Sequence, residues 1–331
     1  MNFNSNLLEK LCKTYGPSGR EKLIRNIIIE EIKDFVDDIE VDTIGNVIAH
    51  KTGNGKKIVL TAHMDQIGLM LRAVDEKGRF RILPIGSVKP HNMIDTRIET
   101  EQGEQGIVLC EKTSDNNIVT CDDLYVEFGK NHVQTSELNT MKGNVVIISS
   151  NYYDNQDSII SAALDDRMGC YILIETIKNI NLCANDMYFV FSVQEENGFH
   201  GIKSAISNIN PDLVLAVDVA CCNEELRGLK TDLEVGSGHA IKVMDHFMIV
   251  SQEVVDWIEK VAIENKIKYQ LDISNLGGTD ACAVQELREV KVGALCIPTK
   301  NIHSSNEMVS KYDICECLKM TQKIAEVEYR I

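Results

Sequence analysis

Apolar, β-like runs recur along this chain, and each leads into a side chain able to bind a metal ion. Ile58-Val59-Leu60-Thr61-Ala62 runs into His63, Tyr188-Phe189-Val190-Phe191-Ser192-Val193 into Glu195-Glu196, and Leu213-Val214-Leu215-Ala216-Val217 into Asp218. Asp165-Asp166 stands just before a helix-like stretch, and His303 follows the run Val292-Gly293-Ala294-Leu295-Cys296-Ile297. A buried strand that ends in a carboxylate or imidazole delivers it to the crevice at the strand's carboxyl end, where open α/β sheets bind ligands. One such ending is commonplace; five of one chemical type point to a metal site.

The runs divide the chain. Up to His63 the pattern is α/β: Ser18 and Glu21 have capping-box spacing, and Ile24, Ile27, Ile28 and Ile32 repeat at helical intervals to about Phe35. Strands are expected at Ile39–Val41 and Asn46–His50. From about Gly68 to Asp157 short alternating runs (Gly68–Val74, Phe80–Ile85, Gly106–Cys110, Leu124–Phe128, Asn144–Ile148) are separated by turn residues without helical periodicity. From Asp165 onward helix and strand alternate again, which predicts β-α-β crossovers and a mostly parallel sheet. The expected architecture is therefore α/β, with helices flanking a mostly parallel mixed sheet and a small β-barrel domain inserted. Residues 1–67 and 158–331 form the α/β domain and 68–157 the insert, consistent with insertion where chain ends lie close together.

Composition narrows the partners. With 34 Lys and Arg against 50 Asp and Glu, the formal charge of −16 disfavours nucleic acid and anionic membranes. The amino terminus lacks a basic segment followed by an apolar one, so no signal peptide is expected. Eleven cysteines scatter without a Cys-x-x-Cys pair, as expected of a reducing cytoplasm.

Singly, each candidate has a bland explanation: a structural histidine, a solvated acidic pair, a charged turn. Context sharpens them. Asp65 lies two residues after His63, and a metal-bound imidazole usually donates its other N–H to a carboxylate. Asp165-Asp166 sits at a buried strand-to-helix junction, where a carboxylate can bridge two ions and Arg167 can neutralise its neighbour. Adjacent side chains of an extended segment point to opposite sides, so one of Glu195 and Glu196 can ligate while the other serves as base. An unpaired Asp218 amid apolar residues is costly. Together they form an oxygen-and-imidazole set without thiolates, suited to zinc, cobalt or manganese. Two such ions about 3.5–4 Å apart form a recognised hydrolytic device.

The combination resembles the TET-type dinuclear metalloaminopeptidases, glutamyl and deblocking aminopeptidases with some endoglucanase-labelled relatives. The resemblance rests on Ala62-His63-Met64-Asp65-Gln66-Ile67-Gly68, Asp165-Asp166-Arg167, Val193-Gln194-Glu195-Glu196, Ala216-Val217-Asp218-Val219, Ala240–Asp245, Gly277-Gly278-Thr279-Asp280-Ala281 and Ile302-His303-Ser304. It implies that His63, Asp165, Glu196, Asp218 and His303 hold two divalent metal ions, with Asp165 bridging. It also implies Glu195 as general base, Asp65 as the orienter of His63, and a PDZ-like insert that dimerises. The activity implied is a cytoplasmic metalloprotease and hydrolase that trims short peptides from the amino end, assembled as a homo-oligomer of twelve subunits, a dodecamer. The chain departs from the family at Gln66, at Asn275-Leu276, and over Asp115–Leu138, which looks short. A metal-dependent carboxypeptidase or deacylase is the nearest enzymatic rival. A glucanase is remoter, since that chemistry needs two free carboxyls flanking the bond, and a non-catalytic assembly protein leaves the ligand set unexplained.

Overall fold

A computed structural model describes residues 3–111, 118–129, 139–222, 225–226, 229–230 and 233–331. Half of the divergent Asp115–Leu138 stretch, residues 115–117 and 130–138, lies outside the described residues. Two helices come first, α1 (Ser5–Lys13) and α2 (Lys22–Ile32), then strands β1 (Asp38–Val41), β2 (Val47–Lys51) and β3 (Lys57–His63). Next come β4 (Gly68–Val74), β5 (Phe80–Ile85), the one-turn α3 (Pro90–Met93), β6 (Arg97–Thr100), β7 (Gln105–Cys110), β8 (Leu124–Glu127) and β9 (Val145–Ile148). The chain then returns through β10 (Tyr153–Asp154), β11 (Ser158–Ser161), α4 (Leu164–Asn179), β12 (Asp186–Ser192), α5 (His200–Ile209) and β13 (Leu213–Cys221). After a short ribbon, β14 (Glu225–Leu226) and β15 (Leu229–Lys230), it closes with β16 (His239–Met244), α6 (Gln252–Glu264), β17 (Tyr269–Ile273), α7 (Asp280–Leu287), β18 (Lys291–Lys300), β19 (Glu307–Ser310) and α8 (Lys311–Glu326).

Among the described residues eleven strands make one mixed sheet, and β4 to β9 close a separate six-stranded antiparallel barrel. The order β12-β3-β13-β18 at the centre of the large sheet is parallel. Toward the flanks β1 pairs with β2 and β18 with β19 antiparallel, because short connections leave no room for a crossover, while β16 and β17 pair parallel. Tyr153–Asp154, assigned to the insert from sequence, pairs with β11 in the large sheet, so the barrel proper ends at Ile148.

Burial explains the continuous apolar runs. Ile58, Val59, Leu60, Phe189, Val190, Phe191 and Leu213 to Val217 are almost wholly inaccessible, so the central strands are covered on both faces. Helix α4 is buried nearly all round, as expected of a helix packed between the sheet and other helices. The barrel has its own core of Leu69, Leu71, Phe80, Ile82, Ile98, Val108 and Val126. Among the described residues no disulfide joins the cysteines. Among the described residues no helix is long and apolar enough to cross a membrane.

Two local expectations fail for identifiable reasons. The Ser18 hydroxyl does not cap a helix; it donates to Asp65 Oδ2 at 2.6 Å, and Glu21 itself is the N-cap of α2. Arg167 does not neutralise Asp166. Fully buried, it donates to the carbonyls of Leu11, Thr14 and Gly16 and ties the α1–α2 connection to α4.

Candidate metal centre

His63 is the last residue of β3, and Glu195-Glu196 follow β12, so neighbouring parallel strands bring them to one edge. Asp218 differs from the strand-end expectation: it is the sixth of nine residues in β13, with three more beyond it. Its burial therefore comes from the sheet interior. Asp165, second residue of α4, has non-helical backbone and is joined to Asp166 by a cis peptide bond. His303 lies in the β18–β19 connection, in the left-handed region at φ 64°.

These five side chains converge in two groups that share one residue. His63, Asp165 and Asp218 offer ligand atoms within 4.8 Å of one another, and so do Asp165, Glu196 and His303. His63 Nε2 is 3.0 Å from Asp165 Oδ1, and His303 Nε2 is 3.2 Å from Asp165 Oδ2 and 3.0 Å from Glu196 Oε1. Asp166 turns away, accepting from the His63 and Gly169 backbone N–H groups. Glu195 belongs to neither group; its Oε2 stands 3.9 Å from His63 Nε2.

The histidine tautomers bear on what fits between these groups. His63 Nδ1 lies 3.2 Å from the Asp65 carbonyl and His303 Nδ1 2.9 Å from the Ser87 carbonyl. A carbonyl only accepts, so each Nδ1 carries hydrogen and each Nε2 is the atom that faces the carboxylate oxygens. Around Asp165 a positive charge must sit between them, either a proton on each ring or a metal ion that replaces it. Glu196 Oε1 is buried without a hydrogen bond of acceptable geometry. The pKa shifts express the same field. Burial disfavours the His303 cation, yet Glu196 and Asp165 push it up to about 12. Burial pushes Glu195 well above the usual carboxylate range against the pull of His63, with Asp218 and Glu196 adding to the rise.

Asp65 orients more than a histidine. Its carboxylate is 3.6 Å from His63 Nδ1, farther than its own carbonyl, and instead accepts from Ser18 Oγ, Glu195 N (3.0 Å) and Glu196 N (3.3 Å). The doublet is not extended, as the alternation argument assumed. It occupies a turn after Gln194 at φ 53°, and this turn, held by Asp65, sends the two carboxylates to different partners. Glu21 adds a bond from Gln194 N at 3.2 Å. Beneath the site Asp280 accepts from Thr61 Oγ1 (2.7 Å) and Ser192 Oγ (2.6 Å). Sequence reasoning gave Glu21 only a capping role and Asp280 none; Asp280's place in Gly-Gly-Thr-Asp was the available signal.

The centre floors a cleft of about 530 Å³. Phe199, Phe247, Leu276 and Gly278 wall one side, and Ser87 and Lys89 from the barrel domain line it too. Gly278 has a steric reason: a Cβ there would stand 2.6 Å from the Phe247 ring.

Known proteins resemble this chain in sequence and in fold. A protein of Acetivibrio thermocellus that carries an aminopeptidase name is 38% identical over 95% of this chain and 96% of its own. The lysyl aminopeptidase of Pyrococcus furiosus is 31% identical over 97% and 96%. The Pyrococcus horikoshii TET1 peptidase, which assembles into a tetrahedron or a large octahedral shell, superposes at a TM-score of 0.88 with 29% identity, covering 97% of this chain and 98% of that one. The family model for M42 glutamyl aminopeptidases matches residues 45–320, and the chain belongs to that family of peptide-bond hydrolases.

Proposed function

We propose that this protein is a two-metal aminopeptidase that removes the amino-terminal residue of short peptides. The observation that carries the reading is the pair of ligand groups sharing Asp165 on the floor of an open cleft. His63 and Asp218 would hold one ion and Glu196 and His303 the other, with Asp165 common to both groups. The ligand set suits zinc or cobalt, with manganese also compatible. When bound, the ions supply Lewis acidity, which lowers the pKa of a water and polarises the scissile carbonyl. Glu195, outside both groups but 3.9 Å from His63 Nε2, takes the proton of the attacking water and delivers it to the leaving amine. Asp65 keeps Glu195 in place through its backbone N–H.

The assembly belongs to the same proposal. Residues 1–67 and 158–331 form the catalytic domain and the insert a dimerisation module, leading to a dodecamer in the cytoplasm. The Pyrococcus horikoshii relative's shell and the separate core of the barrel support this. The barrel also takes part in the centre, since the Ser87 carbonyl holds His303.

The test is release of amine from aminoacyl-anilides by metal-stripped protein reloaded with zinc, cobalt or manganese, before and after chelation. Cleavage should require metal and a free α-amine. Absence of metal-dependent cleavage for every amino-terminal residue would overturn the proposal, and release from the carboxyl end would point to the carboxypeptidase alternative.

A further inference from the structure

We infer that Glu307 is a positioning residue that sets Asp165 and His303 relative to one another before any ion arrives, an inference that rests on the two-metal reading above. Glu307 opens β19 and is 2% exposed. Its Oε1 accepts from the His303 backbone N–H at 2.8 Å and its Oε2 from the Asp165 backbone N–H at 3.1 Å. One carboxylate thus ties together two candidate ligands that lie far apart in sequence.

The sheet explains why this position can do so. Strand β19 lies between β11 and β18, with Ser161 opposite Glu307 on one side and Lys300 opposite Met308 on the other. Strand β11 runs through Ala162-Ala163 to Asp165, and β18 runs into the loop that carries His303. Glu307 therefore sits between the two strands that deliver these residues. Ala163 and His303 both have positive φ, so the chain leaves regular structure at both points and no ladder partner takes these two N–H groups. An unpaired buried N–H is costly. The two donors meet different oxygens of the Glu307 carboxylate, so an amide in its place would turn an NH₂ toward one of them.

The clamp is also lopsided. It reaches the backbone of both Asp165 and His303, two of the three members of the Asp165–Glu196–His303 group. His63 and Asp218 hang from β3 and β13. Loss of the clamp should therefore weaken the His303 group more than the His63 group.

The experiment measures Zn²⁺ affinity by chelator competition on metal-stripped wild type, Glu307→Gln and Glu307→Asp, alongside amide exchange by mass spectrometry on metal-free wild type. Wild type should bind two ions. Both variants should hold one of them about 10- to 100-fold more weakly, the usual effect of losing a residue that orients a ligand, and the other within threefold. Peptides containing Asp165 and His303 should be protected from exchange without metal. Two ions in wild type with both variant affinities unchanged, or both weakened equally, would overturn the inference. Fast exchange at Asp165 and His303 would overturn it as well, even if the variants fail to fold. Wild type binding fewer than two ions would instead sink the two-metal reading, leaving the exchange result to decide on the clamp.

Discussion

Replacing Asp65 by Asn separates holding the base from orienting the histidine. The Asp65 carboxylate is wholly inaccessible and accepts from Ser18 Oγ and from the Glu195 and Glu196 N–H groups. An amide of the same shape presents an NH₂ to one of its two sides. The Ser18 hydroxyl can rotate to accept, but a backbone N–H cannot, so either Glu195 N or Glu196 N loses its partner. An unsatisfied buried N–H costs about 1–3 kcal/mol, and loss of charge assistance on the remaining bonds adds about 1. The expected destabilisation is about 2–4 kcal/mol, read by urea unfolding of the metal-stripped protein. If the same energy is lost from placement of Glu195 in the transition state, kcat/KM falls roughly 30- to 1000-fold. Affinity for the ion at His63 should barely change, because the Asp65 carbonyl, which the substitution leaves intact, lies nearest His63 Nδ1. A variant within about 0.5 kcal/mol of wild type and within threefold in rate would refute the reasoning. Weakened metal binding at an unchanged rate would return Asp65 to the role of histidine orienter.

Glu195→Gln should reduce kcat by roughly 10²- to 10⁴-fold while two metal equivalents remain bound; loss of an equivalent by elemental analysis would make Glu195 a ligand. Arg167→Lys should cost about 3 kcal/mol in urea unfolding, since one ammonium cannot reach the three carbonyls the guanidinium holds; a cost under about 1 kcal/mol would show that those bonds only offset desolvation. His239 is inaccessible and burial lowers its pKa to about 4, from 6.5, against a weaker opposing pull from the Lys268 carbonyl. Unfolded chains take up its proton as pH falls below 6.5 while folded ones wait until about 4, so stability is lost across that window, by about 3 kcal/mol in all. His239→Gln should flatten the wild-type unfolding curve between those pH values, and parallel curves would refute the assignment.

Strands whose burial is continuous were legible: the runs ending at His63, Val193 and Ile297 appear as β3, β12 and β18, because a strand covered on both faces has no polar alternation to confuse it. Helix α2 matches the isoleucine periodicity read up to about Phe35. Helix α5 and the short strands β11, β17 and β19 went unread. Four- and five-residue strands carry too little pattern, and their positions depend on what they pair with.

The sequence by itself supplied the inventory of the candidate centre, since metal-ligand residue types in or beside apolar runs are a local property. Tertiary structure decided how they are used. Asp165 rather than Asp166 stands between both histidines because the backbone at the head of α4 turns one carboxylate inward and leaves the other on the N–H groups of His63 and Gly169. Glu195 and Glu196 part company through a turn held by Asp65, not through strand alternation. The bonds of Glu21, Asp65 and Glu307 to distant backbone N–H groups leave no trace in local pattern, because hydrogen bonds between residues far apart in sequence exist only once the sheet has brought them together.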